Sequence, residues 1–297
     1  MGTDLGPDSG SDFCDGSDVS LHIFPRLDEL ATLAAVDLLG TGTSCLVWTS
    51  SAPLQQVSMK YLDFTKGRKP HLLTGTRNNL GAESKITYAP STKFFLDDKE
   101  QGRHWFTSLP FPVHCVEKVE AWDHLSRSRF VSKYAYHHGY YDGVEREYRG
   151  FAFVEQWDTE EFNLISPDIA ENWDSAWYSP PVHTKTWYHN GAFLEGRSLV
   201  AALATEYFRQ DTDDGEFVND LLDESVISAK LSYEICRESC RAMTGQTLRH
   251  EVYANDGSTK AKFPYTVSES NYTLRVLQQP EDSHGHSIIT VNPRESI

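Results

Sequence analysis

The chain has 297 residues, enough for one large β domain or two moderate ones, and its aromatic share of 12% favours strands over a helical bundle. A net charge of −16 at pH 7 repels phosphate backbones, so nucleic-acid binding is not expected. No apolar run reaches the roughly 18 residues of a membrane-spanning helix, so direct membrane insertion is not expected either.

The N-terminal region predicts a tail followed by a hairpin. Residues 1–25 are acidic and rich in Gly and Ser, which indicates disorder, and they lack the basic start and apolar run of a secretory signal. The run Leu33–Trp48 predicts two strands joined by a tight turn, with positive φ supplied by Gly40 and Gly42. This pattern is typical of one β-propeller blade. Because Asp37 is the one carboxylate of the turn, we expect no calcium there.

Short strand candidates alternate with turn residues from about Leu54 onward. This rhythm predicts an extended antiparallel sheet. Aromatic side chains at alternate positions can stack across neighbouring strands and stiffen such a sheet. The strand candidates are Lys85–Tyr88, Lys93–Leu96, Val113–Trp122, Arg129–Tyr136 and Phe151–Trp157.

A second part begins near Pro180 and adds a helical excursion to the strands. Apolar residues recur at helical spacing in its longer helix candidate, and Gly245 follows as a helix-ending residue. The predicted helices are Ser198–Arg209 and Val226–Met243. The predicted strands are Val182–Tyr188, Thr247–Tyr253, Asn271–Leu277 and Ser287–Val291, with turns at Asn190–Gly191 and Asp256–Gly257.

The densest polar cluster begins at His137 and His138. Neighbouring side chains on a strand point to opposite faces, so these two imidazoles cannot share a metal without a turn. With Asp142, Glu145 and Glu147 close in sequence, a metal site is the alternative to a hydrogen-bonded turn between two strands.

Two other groups of polar residues were weighed for chemistry. His183 and His189 flank a strand and lie too far apart for a single site. The acids from Glu145 to Glu161 predict cross-strand ion pairs on a solvent-exposed face of the sheet. The alternative is a pair of carboxylates across a cleft, as glycosidases use. The motifs of a nucleophile elbow, a phosphate loop, a dinucleotide site and a zinc helix are missing. We therefore assign no catalytic residue, no cofactor and no metal ligand.

The five cysteines are scattered and odd in number, which does not describe a disulfide framework. Cys236 and Cys240 share a helix face, but no further metal ligand sits at suitable spacing, so buried or half-buried thiols are expected. The most basic stretch, Lys66–Lys69, is interpreted as a solvated turn rather than a phosphate site.

Several strings resemble the middle of the B component of bacterial toxin complexes, the SpvB/toxin-complex family. The similarity runs in order from about residue 30 to residue 295. The strings in the first part are Asn78–Glu83, Tyr88–Phe94, Leu109–His114, Tyr134–Gly143, Glu145–Phe151 and Val154–Thr159. The strings in the second part are Thr184–Phe193, Leu248–Tyr253, Pro264–Glu269 and Asn271–Tyr272.

The resemblance implies a non-enzymatic, mainly β protein: an extended antiparallel sheet of an Rhs-like (YD-repeat) shell with a small helical excursion, preceded by a remnant propeller blade. The implied partners are the toxin-complex C component, which closes the shell around a toxic cargo, and the pore-forming A component. The implied location is extracellular, within a complex made first in the cytoplasm. The segments are an acidic tail (1–25), a blade remnant (26–55), an N-terminal shell segment (56–179) and a C-terminal shell segment (180–297).

Two alternatives to the shell wall stay open from the residues alone. A stand-alone carbohydrate-binding β module, suggested by the Trp and Tyr content, predicts an exposed aromatic platform beside carboxylates or amides. A hydrolase using the acids from Glu145 to Glu161 requires two carboxyl groups about 5–10 Å apart in one cleft.

Overall fold

A computed structural model describes residues 29–51, 59–125, 128–159, 181–195, 197–209, 221–227, 232–280 and 285–297. Strands dominate these ranges, as predicted. The strands up to the first long gap are β1 (Ala31–Val36), β2 (Cys45–Ser50), β3 (Met59–Leu62), β4 (Gly75–Arg77), β5 (Ala82–Pro90), β6 (His114–Asp123), β7 (Ser128–Asp142) and β8 (Glu147–Thr159). The later strands are β9 (Val182–His189), β10 (Val226–Ile227), β11 (Gln246–Ala254), β12 (Pro264–Gln278) and β13 (Ile288–Ser296). The helices are α1 (Ser91–Glu100), α2 (Leu199–Leu203) and α3 (Tyr233–Ala242), and a 3-10 turn (Ala204–Glu206) continues α2.

A small antiparallel sheet, ordered β1-β2-β3, opens the described chain. The predicted hairpin is confirmed, because β1 pairs with β2 and both turn glycines, Gly40 and Gly42, have positive φ. The turn is fastened by Asp37, whose carboxylate accepts the backbone N–H groups of Thr41 and Gly42 at 2.9 and 2.7 Å. With both carboxylate oxygens bonded to the backbone, Asp37 holds the turn together locally.

The main body is one ten-stranded sheet, ordered β10-β12-β11-β9-β8-β7-β6-β5-β4, with β13 also paired to β12. The pairings are antiparallel except for β10 with β12. Strand β9 pairs with β8 on one side and with β11 on the other. Both predicted shell segments therefore contribute to a single sheet.

The core is organised by an aromatic row that crosses neighbouring strands. His137 of β7 stacks on Phe153 of β8 at 4.7 Å, and Phe153 stacks on Trp187 of β9 at 4.6 Å with the rings 5° apart. Trp187 is fully buried and also meets the ring of Tyr207 edge-on at 5.0 Å. The strand register creates this row, since the three strands pair at these positions. The expected stacking of aromatics across strands is therefore present at the centre of the sheet.

One predicted strand is wrong. Lys93–Leu96 lies inside helix α1, which begins after the extended residue Pro90. The helix places Phe94 and Asp98, four residues apart, on its buried side, where Phe94 packs edge-on against Tyr136 at 5.5 Å. A run of four apolar and charged residues is too short to distinguish the two-residue repeat of a strand from the 3.6-residue repeat of a helix. Packing against β7 selected the helix.

Both predicted helices are shorter than expected. Ser198–Arg209 gives only α2 and the 3-10 turn, with Ser198 capping α2 by accepting the N–H of Ala201. Within Val226–Met243, β10 takes the first two residues and α3 starts after Ser232, which caps it. Residues 228–231 lie outside the described ranges. The β-branched pair Val226 and Ile227 joins the sheet beside β12 because strand pairing outweighs the local helical period.

The remaining strand predictions are confirmed, most of them with extended ends. At Asn190–Gly191 a φ of +75° at Gly191 accompanies a hydrogen bond from the N–H of Ala192 to the side chain of Asn190 at 3.2 Å, but no regular turn is formed there. Asp256–Gly257 belongs to a longer link between β11 and β12, in which Asp256 accepts the N–H of Ser258 at 2.9 Å. The predicted tail, 1–25, lies outside the described ranges.

Replacing Trp187 with Ala tests the aromatic row. We expect the free energy of unfolding to fall by about 3–5 kcal/mol, because a fully buried indole leaves a cavity that its stacked neighbours cannot fill. Urea denaturation measures the change. Tyr265→Ala is the matched control on an exposed ring and should cost within about 0.5 kcal/mol. Equal losses in the two variants would contradict the central role of the row.

Candidate functional site

A band of titratable side chains lies on one face of the sheet beside the aromatic row. The register aligns β7, β8, β9 and β11 so that Glu155, Lys185 and Glu251 stand on neighbouring strands in one line. Glu155 and Glu251 are buried. Because buried charges require partners, each carboxylate of this band reveals which elements the fold must bring together.

The first buried carboxylate is Asp98 of α1. It pairs with Nδ1 of His137 at 2.6 Å, accepts the indole N–H of Trp105 at 2.7 Å, and lies 3.4 Å from the guanidinium of Arg103. Burial raises the pKa of Asp98, but the hydrogen bonds and the charges of His137 and Arg103 outweigh it, so the pKa lies below its ordinary value. Asp98 is therefore an ionised anchor between α1 and β7.

The second buried carboxylate, Glu155, lies between two histidines. One of its oxygens pairs with Nε2 of His183 at 3.0 Å, and the other lies 3.9 Å from Nε2 of His137 and 3.7 Å from Arg103. Burial by itself raises the pKa of Glu155. The hydrogen bond from His183 and the charges of His137 and Lys185 lower the pKa by more, so it lies below its ordinary value. Glu155 is ionised, and it joins β7, β8 and β9.

The third buried carboxylate is Glu251 of β11, which is fully buried. It accepts Nε of Arg249 at 2.6 Å, the backbone N–H of Phe208 at 3.0 Å and the hydroxyl of Tyr253. Arg249 continues the network to Glu269 of β12 at 2.6 Å. This group fastens the segment after α2 to the sheet.

His137 and His138 do not share a site. His137 pairs with Asp98, whereas Nε2 of His138 pairs with Glu206 at 3.0 Å. Nδ1 of His138 accepts the N–H of Phe106, so the neutral tautomer carries its proton on Nε2 and donates to Glu206. In the part of the chain that the structure describes, no group of three His, Cys, Asp or Glu residues is arranged to hold a metal.

The expected hydrogen-bonded turn between two strands is present, but it lies beyond the two histidines. Both lie inside β7, where a positive φ of 56° at His138 accompanies a register shift in the pairing with β8. The actual turn joins Asp142 to Glu147. There the carboxylate of Asp142 accepts the N–H of Val144 at 2.9 Å.

The tip of this hairpin is held by an ion pair to α3 and by a hydrogen bond to Gly191, just after β9. Arg149 lies 2.9 Å from Asp142 and donates to the carbonyl of Gly191 at 3.0 Å, and its side chain is 2% exposed. Arg237 of α3 pairs with Glu145 at 2.8 Å. The expectation of ion pairs among the acids from Glu145 to Glu161 is confirmed, but the expected solvent-exposed face is wrong for Glu155, which is buried.

The acids weighed for hydrolysis do not converge. Glu145 pairs with Arg237 beside α3, and Glu155 pairs with His183 in the middle of the sheet. Glu147 and Glu155 are eight residues apart on one extended strand, about 27 Å. That spacing exceeds the range for either glycosidase geometry. Glu160 and Glu161 lie outside the described ranges.

The aromatic residues near this band stack on one another rather than forming an open platform. Trp157 and His183 lie 4.6 Å apart with their planes at 14°, so each ring covers one face of the other. Lys185 sits over the ring of Tyr253 at 5.2 Å. The described residues therefore use these rings mainly for packing within the sheet.

The remaining groups singled out from the sequence have structural roles. Cys236 and Cys240 are half-buried thiols, as expected, and burial beside the Cys236 thiol raises the pKa of Cys240 to about 11. Lys66–Lys69 lies at a turn that Asp63 fastens by accepting the N–H of Gly67 at 2.7 Å. His183 pairs with Glu155, whereas His189 accepts the N–H of Gly191, so the two histidines do not share a site. None of the helices in the described ranges has the length and hydropathy that crossing a membrane requires.

Sequence reasoning missed Asp98, Arg103, Glu206 and Glu251 as members of this network. Asp98 and His137 are 39 residues apart, and His138 and Glu206 are 68 apart. No short-range spacing relates these partners. The one available signal was the pair of adjacent histidines, which marked β7 but not the carboxylates that meet it.

Comparison with known families gives two matches in chain order. Residues 25–191 match the insecticide toxin TcdB middle/N-terminal region, and residues 238–297 match the insecticide toxin TcdB middle/C-terminal region. No curated protein sequence matches the chain significantly.

Solved structures give the same relationship. The chain is similar to TcdB2-TccC3-Cdc42 (29% identity, TM-score 0.74) and to TcdB2-TccC3 without its hypervariable C-terminal region (31%, 0.72). It is also similar to a Photorhabdus luminescens Tc holotoxin pore (30%, 0.70). Each match covers 92% of this chain and 12% of the solved chain, so the sequence spans about an eighth of those relatives.

Replacing Asp98 with Asn tests the ionised anchor. At pH 7 we expect a loss on the order of 3 kcal/mol, because His137 and Arg103 lose their buried counter-charge. The folded pKa of Asp98 is depressed, so its stabilisation is present above the unfolded pKa and is lost as pH falls through the folded pKa. Urea titrations should therefore show a flatter acid limb below about pH 4 in Asp98→Asn. An unchanged acid limb would contradict this assignment.

Replacing His189 with Asn tests a second, separate pH range. Burial lowers the pKa of His189 from 6.5 to about 4, so between these values the unfolded chain binds a proton that the folded chain excludes. Stability should fall by about 3 kcal/mol as pH drops from 6.5 to 4. The Asn amide oxygen can replace Nδ1, which accepts the N–H of Gly191 at 3.1 Å. His189→Asn should remove most of the slope in this range and leave the slope below pH 4 intact.

Proposed function

This chain belongs to the insecticide toxin TcdB family, and we propose that it is a non-enzymatic part of the B component of a toxin complex. In this role it forms wall of an Rhs-type shell that encapsulates a toxic cargo and delivers it. Its partners are the C component, which completes the shell, and the A component, which receives the cargo.

The relatives support the choice of partners. One solved relative is TcdB2 together with TccC3, and another is a Tc holotoxin pore. Because 92% of this chain superposes on about an eighth of each relative, the chain corresponds to one segment of a much longer protein. A segment of this size supplies a share of the wall rather than a whole container.

The single observation that carries the proposal is the continuous sheet from β4 to β13. It is one long antiparallel surface with strands of up to 15 residues, and both family segments contribute to it. A wall needs such a surface, since strands extend and stiffen it while helices only brace it. In this proposal residues 56–179 and 180–297 are wall, residues 26–55 are the end of a propeller, and 1–25 form an acidic tail.

The edge of the sheet at β4 supports joining to neighbouring wall. The backbone carbonyl of Thr74 accepts the N–H of Ile86 in β5 at 2.8 Å. The backbone N–H of Asn78 donates to the carbonyl of Ala82 in β5 at 3.1 Å. In an antiparallel ladder the intervening odd residues, including Arg77, direct their backbone groups away from β5. All of β4 is exposed, and such an edge is suited to the addition of another strand.

The polar band supports a structural role. Asp98, Glu155 and Glu251 have their charges matched by cations or N–H donors from other elements, so they stabilise the wall instead of standing ready for catalysis. A component of this kind is made in the cytoplasm and acts outside the cell within the assembled complex.

A chimera tests the proposal. The matching segment of TcdB2 is replaced by this chain and the chimera is co-expressed with TccC3. We expect a stable complex in which the hypervariable C-terminal region of TccC3 resists added protease, because the wall remains closed. Immunoblotting of that region after proteolysis measures protection against intact TcdB2-TccC3.

Two chimera variants serve as a matched pair. Arg77→Pro removes the outward backbone N–H at the β4 edge, whereas Arg77→Ala keeps it and loses only the exposed pair with Glu83. Protection should fall in the proline variant and persist in the alanine variant. A folded parent chimera that assembles with TccC3 but leaves the cargo open to protease would overturn the proposed function.

A further inference from the structure

A cavity of about 230 Å³ lies between α3, the chain entering α2 and the end of β12. Its walls come from residues far apart in the sequence, so the fold creates it and no sequence motif indicates it. The lining residues are His189, Ala192, Phe193, Leu194, Arg197, Ser198, Leu199, Val200, Glu224, Ser225, Cys236, Ser239, Cys240, Met243 and Leu274.

The deep wall of the cavity is apolar and the mouth is charged. Ala192, Met243 and Leu274 are each at most 2% exposed. Arg197 and Glu224, of opposite charge, are solvent-exposed lining residues. Apolar walls with a few polar groups at defined positions are the usual anatomy of a small-molecule site.

The polar groups that line the cavity include the imidazole of His189 and the hydroxyls of Ser198, Ser225 and Ser239. Ser239 donates its hydroxyl to the carbonyl of Ile235 at 2.7 Å. Nδ1 of His189 accepts the N–H of Gly191, so the neutral imidazole carries its proton on Nε2. Among the described residues, Nε2 has no acceptor. A neutral ring is expected here because burial lowers the pKa of His189 to about 4.

Size and chemistry together define the ligand. An apolar cavity of about 150 Å³ accepts a benzene ring, so the larger volume here accommodates a substituted ring of about nine or ten heavy atoms. A charged ligand would lose its hydration against the apolar wall without a buried counter-ion. We propose that the cavity binds an uncharged substituted aromatic molecule with a hydrogen-bond acceptor that meets Nε2 of His189.

Two nearly isosteric probes test the proposal on the whole chain. Acetophenone carries a carbonyl acceptor, and α-methylstyrene replaces it with a methylene group. Ligand-observed NMR titration should give a dissociation constant on the order of 0.1–1 mM for acetophenone and binding several-fold weaker for α-methylstyrene. The variant His189→Asn, which keeps the bond to Gly191 but has no donor at the Nε2 position, should remove the difference between the probes.

A filled-cavity variant locates the site. Cys240→Phe should abolish binding of both probes, while Glu234→Gln, an exposed change on the same helix, should leave it intact. If circular dichroism shows that Cys240→Phe does not fold, site-resolved alkylation of the wild-type chain replaces it: acetophenone should slow modification of Cys236 and Cys240. No binding to the wild-type chain, equal binding to folded Cys240→Phe, or no slowing of alkylation would each overturn the proposal. None of these outcomes bears on the wall function, which the chimera tests separately.

Discussion

The structure depends on one constraint: an ionised carboxylate inside a sheet must receive its hydrogen bonds from other parts of the chain. Asp98, Glu155 and Glu251 meet this constraint partly through His137 of β7, His183 of β9 and the N–H of Phe208 after α2. These three partners are distant in sequence from the carboxylates that they meet. The three carboxylates therefore fix which elements cover the sheet and where they sit along it.

The aromatic row and the polar band are two consequences of one strand register. The pairing that stacks His137, Phe153 and Trp187 also places Glu155 two residues further along β8, beside Lys185. Because side chains alternate with a period of two, a slip of one residue would move the whole set to the other face. Hydrophobic and electrostatic terms thus select the same register, which favours a single rigid arrangement of a long sheet and fits the proposed wall.

The helices show where local pattern was insufficient. Lys93–Leu96 has no period that distinguishes strand from helix, and only the contacts of Phe94 and Asp98 with β7 decide it. Val226 and Ile227 fit a helical repeat with the residues that follow, yet they pair with β12. Packing against β7 in the first place and strand pairing in the second outweighed a weak local preference.

The sequence by itself determined the mainly β class, most of the strands (β3, β4 and β10 were not predicted), the β1–β2 hairpin and the family. These follow from alternation, turn residues such as Gly40 and Gly42, and strings long enough to be distinctive. Only the tertiary structure decided the partners of His137 and His138, the burial of the Asp142–Arg149 pair, and the cavity beside α3. These features join residues up to 68 positions apart or belong to three-dimensional shape, and no short-range period in a chain encodes such contacts.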